Sequence, residues 1–136
     1  MKVARRYPSK QDAFTLLEMS MVILVMLTLV SSGLVVNRQM TSWRLGREAG
    51  ETLRTVYSAQ RMFLSDNPTR TVASIVAADI VPYLPSGAAT LPTVKSLTNT
   101  NLSIIVNVTP PVVNAGSGTA YDPSGKSNDS LWDVGE

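Results

Sequence analysis

Residues 14–36, FTLLEMSMVILVMLTLVSSGLVV, constrain this chain more than any other stretch, because they hold a single charge. Met19 to Val36 is an uncharged run. As one helix, Phe14 to Val36 would reach about 35 Å, enough for the hydrocarbon core of a bilayer. The one charge, Glu18, stands fifth in this segment. On insertion scales a carboxylate deep in hydrocarbon costs roughly 2.5–3.5 kcal/mol, and less near an interface. Glu18 therefore needs a boundary or a partner.

The thirteen residues before this run carry Lys2, Arg5, Arg6 and Lys10 against Asp12, a basic leader of net charge +3. A secretory signal peptide begins in the same way. Its apolar region, however, is only about 7–15 residues, and its small-residue cleavage site follows that region. Ser31, Ser32 and Gly33 imitate such a site, but the persuasive small-residue boundary, Asp12-Ala13, lies in front of the run. Without the leader the chain is slightly acidic, so its overall charge of +2 is no argument for nucleic acid. The chain has no cysteine and no histidine, which excludes a disulfide framework, a thiolate zinc site and Ser-His or Cys-His catalysis.

After Val36 polar residues return without a turn signal. Met40, Trp43, Ala49, Leu53, Val56, Tyr57, Met62, Phe63 and Leu64 recur mostly at steps of three or four, the helical period. No proline occurs between Pro8 and Pro68, so the spacing predicts one helix from Phe14 to about Leu64, some 75 Å long. Gly33, Gly46 and Gly50 are its expected bends, and Gly46 with Gly50, four apart, predicts close packing on one face. Pro68 breaks the helix. Val72, Ile75, Val76 and Ile80 suggest a second, short amphipathic helix stopped by Pro82, and PYLPSGAATLPT reads as loop. LSIIVNV (102–108) alternates as a strand, NAGSG marks a turn, and TAYD and SLWDV are expected as second and third strands.

About seventy residues after Pro68, with few aromatics, make a marginal core alone. The apolar stripe of residues 40–64 would complete it by packing on the sheet. The expectation is an α+β fold with a long N-terminal helix, its first half protruding and greasy, its second half embedded in a small antiparallel β-sheet head. Four segments follow: a leader (1–13), an apolar half-helix (14–36), an amphipathic half-helix (37–66) and a small α+β head (67–136).

A basic leader, a small residue and FTLLE opening a long apolar helix resemble the type IV prepilins and the related pseudopilins of type II secretion. The resemblance implies that a membrane-embedded prepilin peptidase cuts between Ala13 and Phe14 and methylates the new amino group of Phe14. Glu18 then becomes the fifth mature residue, the position that family reserves for glutamate in subunit assembly. It also implies a precursor with a single pass through the inner membrane, its leader cytoplasmic. An inner-membrane assembly platform and identical or related pilin subunits in a helical filament would be its partners. Arginines flank both ends of the apolar run, so charge alone does not set this orientation. The chain departs from the family pattern in three ways: Ala13 replaces the usual glycine, Val35 stands where many members have proline, and no C-terminal disulfide exists.

Two further expectations concern charge. Arg38, Arg44, Arg47, Arg54 and Arg61 make residues 38–61 basic, whereas Asp122, Asp129, Asp133 and Glu136 make the tail acidic. Asp122, Asp129 and Asp133 on a glycine-containing loop supply the hard oxygen donors that calcium prefers, although their spacing fits no EF-hand. No acid-base or nucleophile set is visible, and Asp66 with Asp79 gives no recognised spacing, so a structural, non-catalytic subunit is expected. The alternative from another class is a monomeric membrane-anchored periplasmic or extracellular binding module.

Overall fold

The computed structural model describes residues 15–135, which divide between Arg38 and Gln39 into two compact units. A single helix, α1 (Leu16–Asp66), contributes to both and accounts for 51 residues. It passes through Gly33, Gly46 and Gly50 without interruption and ends two residues before Pro68.

In the first unit every described residue is exposed, including all the large apolar side chains. The hydroxyls of this segment are satisfied within the helix: Ser20 donates to the Leu17 carbonyl, Thr28 to Val25, Ser31 to Leu27 and Ser32 to Thr28. Such back-bonding satisfies these four hydroxyl donors, which suits a helix entering hydrocarbon. This is one helix long and apolar enough to cross a membrane, close to the N-terminus.

In the second unit α1 supplies one wall of the core through Ala49, Leu53, Val56, Ala59 and Phe63, at steps of three and four. Ile75, Ile80, Leu84, Val94, Ile104, Val106, Val113, Trp132 and Val134 close it from the other side. The fold is thus broadly α+β, with the helix packed on a small strand region. The strands are shorter than their sequence suggests. β1 (Val94–Lys95) pairs antiparallel with β2 (Asn101–Leu102), and β3 (Ile104–Ile105) with β4 (Val112–Val113).

The expected strand 102–108 changes partner at Ser103, whose carbonyl accepts from the Asn114 N–H. It stops at Ile105 because the next carbonyls are taken elsewhere. The amide of the fully buried Gln60 donates to both Val106 and Val108, at 2.8 Å each. TAYD forms only a single bridge, Asn114 to Ala120, and is not a strand. SLWDV is not a strand either: Ser130 and Trp132 have φ near +60°, which no ladder accommodates. The expected helix over 72–80 is divided as well. A 3-10 turn (Val72–Ser74) precedes α2 (Ala77–Ile80), and a second 3-10 turn (Val81–Tyr83) runs on through Pro82. Asp79 accepts from the Val76 N–H at the start of α2 and pairs with Arg70 at 3.0 Å. Tyr83 stacks edge-on to Phe63 and donates its hydroxyl to Asp66, which holds the phenol above its ordinary pKa.

Candidate functional site

Glu18 lies in the first turn of α1. The Thr15 side chain accepts from the Glu18 N–H at 3.3 Å, so Thr15 caps the helix and Glu18 occupies the third helical position. Thr-x-x-Glu is the sequence form of a capping box, and a carboxylate in the first turn is stabilised by the exposed N–H groups and the dipole. That local signal is present in TLLE and supplies a boundary reason for the charge. Glu18 makes no ion pair with another described residue. Ala13 and Phe14, with the whole leader, lie outside the described residues.

The second candidate is the C-terminal loop. It is secured on α1 by a slot that the spacing of Gly46 and Gly50 makes possible. A Cβ added to Gly46 would lie 2.7 Å from the Trp132 ring, and one on Gly50 would lie 2.5 Å from the Ser130 carbonyl oxygen. The Trp132 backbone N–H donates to the Gly46 carbonyl at 3.1 Å, and its indole N–H to the Lys95 carbonyl at 3.1 Å. Arg54 holds the far end, donating Nε–H to the Val134 carbonyl at 2.9 Å and Nη2 to the Ser130 hydroxyl at 2.6 Å. Gly46 and Gly50 therefore do pack closely, against the chain's own tail. No covalent staple is needed.

The three tail aspartates have different occupations. Asp122 accepts from the Ser124 N–H at 3.0 Å and the Ser124 hydroxyl at 2.7 Å, closing a turn. Asp129 accepts from the Leu131 N–H at 2.9 Å, closing another. Asp133 is different: both carboxylate oxygens are shielded from water and neither has a hydrogen-bond partner of good geometry. Desolvation, then the charges of Asp129 and Asp122, push its pKa above the ordinary 3.8, an effect that the Ser130 and Gly135 backbone groups only partly offset. Among the described residues no three acidic side chains converge closely enough to hold a metal ion. The donor chemistry suits calcium, but one carboxylate oxygen each of Asp122 and Asp129 is committed to a turn, while both oxygens of Asp133 are shielded from water.

A raised folded-state pKa has a definite sign. The stabilising contribution of Asp133 is complete below about pH 3.8 and is lost as pH rises through the folded value. At neutral pH the wild type therefore carries a penalty that an uncharged isostere lacks. Asp133→Asn is expected to raise the melting temperature of the detergent-solubilised chain in chelator at pH 7. The gain should vanish in acid. Calcium at one hundred times its dissociation constant adds about 2.7 kcal/mol to a chain that binds it, and Asp133→Asn should lose that increment. A wild-type melting curve unmoved by calcium leaves the tail aspartates without a metal.

Arg70–Asp79 is the one ion pair among the described residues. Arg47 instead sits 5.2 Å over the Trp43 ring and Arg61 5.8 Å over Tyr57. No family model, curated protein or solved structure matches this chain.

Proposed function

We propose that this chain is a structural, non-catalytic subunit of a type IV pilus-like or type II secretion pseudopilus filament. The observation that carries this reading is the division of one 51-residue helix. Its first part is apolar all round, wholly exposed and marked by a single first-turn carboxylate, while its second part builds the core of a small α+β unit. A helix apolar on every face needs lipid or other such helices around it, and a filament subunit meets both in turn.

In this reading the precursor sits once through the inner membrane with its leader on the cytoplasmic side. Prepilin peptidase cuts between Ala13 and Phe14, and Phe14 is N-methylated. The new amine is mostly protonated at neutral pH, with a reference pKa of about 7.7–8.0. On an assembly platform the helices leave lipid for a shared core, where Glu18 of one subunit pairs with the amine of another. Pairing offsets the desolvation of both charges, and a slipped register leaves them unpaired. The carboxylate then sets register more than it adds net stability. Met19, Met21 and Met26 serve as adaptable packing in the same core.

Processing tests the reading. Coexpressed with a prepilin peptidase, the chain should lose thirteen residues, and mass spectrometry should find N-methyl-Phe14. Ala13→Gly should be cut at least as fast, and a bulky residue at position 13 should block cutting. A mature N-terminus beyond Gly33 would establish a secreted protein and end the filament reading.

A further inference from the structure

Arg54, Ser58, Arg61 and Ser65 stand at i, i+4, i+7 and i+11 of α1, a spacing that sets them along one face of the helix. They line a cavity of about 600 Å³ that the C-terminal segment closes at Val134. Its described lining residues include two arginines and no carboxylate. Arg54 is fixed there, because Nε–H donates to the Val134 carbonyl and Nη2 to the Ser130 hydroxyl, which leaves Nη1 unoccupied. Arg61 lies over the Tyr57 ring and has no ion-pair partner among the described residues. The acids nearby do not claim either guanidinium. Asp66 accepts from Tyr83, both Asp133 oxygens are shielded, and Glu51 is not ion-paired to Arg54. The hydroxyls set this face apart from the rest of α1. Ser42, Thr52 and Thr55 donate back to the Gln39, Glu48 and Glu51 carbonyls, as the hydroxyls of the apolar segment do to theirs. Ser58 and Ser65 do not, and neither hydroxyl has a partner among the described residues. A serine that does not fold back onto its own helix keeps its donor for a ligand.

We propose that this cavity binds the phosphate group of a small organic phosphate. The donor set selects the charge, since guanidinium groups only donate and the two serine hydroxyls are free to donate. Phosphate offers acceptor oxygens in more directions than a planar carboxylate, so it suits donors that arrive from two arginines and two serines. The two arginine positions lie roughly 10 Å apart along the helix axis. Arg54 is the fixed donor, and Arg61, held only by the Tyr57 ring, is the arm that closes onto the ligand. The volume falls within the range of about 300–1,000 Å³ usual for small-molecule sites and leaves room for more than a bare phosphate. Met62, about half exposed, gives the carbon body of the ester an apolar surface. A bound phosphate would join the helix to the tail that Arg54 already ties down, so the ligand should stabilise the seated tail. The site needs only residues of the second unit and does not depend on the filament reading.

Calorimetric titration of the full-length chain in a neutral detergent tests the site, with phenyl phosphate, inorganic phosphate, benzoate and benzyl alcohol as probes. Phenyl phosphate should bind at one site per chain and raise the melting temperature. Inorganic phosphate and benzoate should bind severalfold more weakly, and benzyl alcohol should not bind. Arg61→Gln should weaken phenyl phosphate about tenfold or more, the usual weight of a hydrogen bond to a charged group. Its melting temperature without ligand should match the wild type, because Arg61 makes no hydrogen bond or ion pair among the described residues. Ser58→Ala combined with Ser65→Ala should weaken binding severalfold while the helix, gaining two alanines, keeps its stability. Glu136, which follows Gly135 and lies outside the described residues, is removed as a competing charge by Glu136→Gln, which should leave binding intact or tighten it. Arg44→Gln takes the same charge from α1 outside the cavity and should leave the affinity unchanged. An equal loss from Arg44→Gln would show only a general attraction of anions to a basic helix and overturn the site, as would undiminished binding to Arg61→Gln. Benzoate binding as tightly as phenyl phosphate would overturn the choice of phosphate. Displacement of phenyl phosphate by phosphatidylglycerol added to the micelles would assign the cavity to a lipid headgroup and overturn the soluble ester.

Discussion

Trp132→Ala is expected to free the C-terminal loop from α1 and to destabilise the chain by about 3–5 kcal/mol, the usual cost of truncating a buried large aromatic. Trp132 is 4 % exposed, packs edge-on to Tyr121 with ring centroids 6.1 Å apart, and carries two hydrogen bonds that tie the loop to Gly46 and Lys95. Its left-handed backbone works the other way, since φ of +59° strains a bulky residue and alanine there is less strained. The result should therefore fall toward the lower end of the range. Gly46→Ala supplies the decisive comparison. In the wild type its methyl would enter the indole, and overpacking costs about 1–3 kcal/mol against a helix-propensity gain of about 1. Without the indole only the gain remains, so Gly46→Ala should destabilise the wild type and stabilise Trp132→Ala. Denaturant unfolding of the four chains in detergent measures the cycle, and additive effects would show that the ring does not seat on Gly46.

The slot shows why one part of this molecule is legible in its sequence and another is not. The long helix is a local matter. No proline lies between Pro8 and Pro68, and the apolar steps of residues 40–64 contain Ala49, Leu53, Val56 and Phe63, which the structure buries, although Met40, Trp43 and Met62 of the same stripe stay about half exposed. SLWDV is not a local matter. Its alternation favours a strand, but the tail is moulded by a surface contributed eighty residues earlier, and Arg54 together with the two glycines decides its path. Nothing within the five residues announces a positive φ at Ser130 and Trp132. The strand over 102–108 fails for a related reason. Gln60, a polar residue on the buried face of the long helix, takes the Val106 and Val108 carbonyls from any ladder. Among the site residues, the special position of Glu18 is readable twice over, from the interruption of an apolar run and from Thr-x-x-Glu. The tail aspartates read as alike, yet two close turns while Asp133 has no hydrogen-bond partner of good geometry.

Those two origins for Glu18 make different predictions. As a capping residue alone, its carboxylate contributes about 0.3–1 kcal/mol at the helix start. As the partner of a buried amine, its removal strands a charge in the filament core, and breaking such a pair typically costs about 3–5 kcal/mol. Glu18→Ala should leave membrane insertion intact, or favour it, because a charge leaves the apolar run. In the proposed processing, peptidase recognition should depend mainly on residues beside the cut, so cleavage after Ala13 should persist, with methylation of Phe14 reduced where the carboxylate helps position the amine. Assembly is where the loss should appear. At 1.4 kcal/mol per tenfold, the stranded amine corresponds to a fall of about a hundredfold or more in association. Glu18→Gln separates the two roles, since the amide keeps the length and polarity of a first-turn residue but cannot neutralise an ammonium group. The measurement compares processed chain in the membrane with chain in sheared filaments for wild type, Glu18→Ala and Glu18→Gln. Loss of filaments in both variants, with processing preserved, assigns the carboxylate to the buried amine. A normal yield from Glu18→Gln would reduce Glu18 to a cap, and the register of the filament would have to be set elsewhere on the helix.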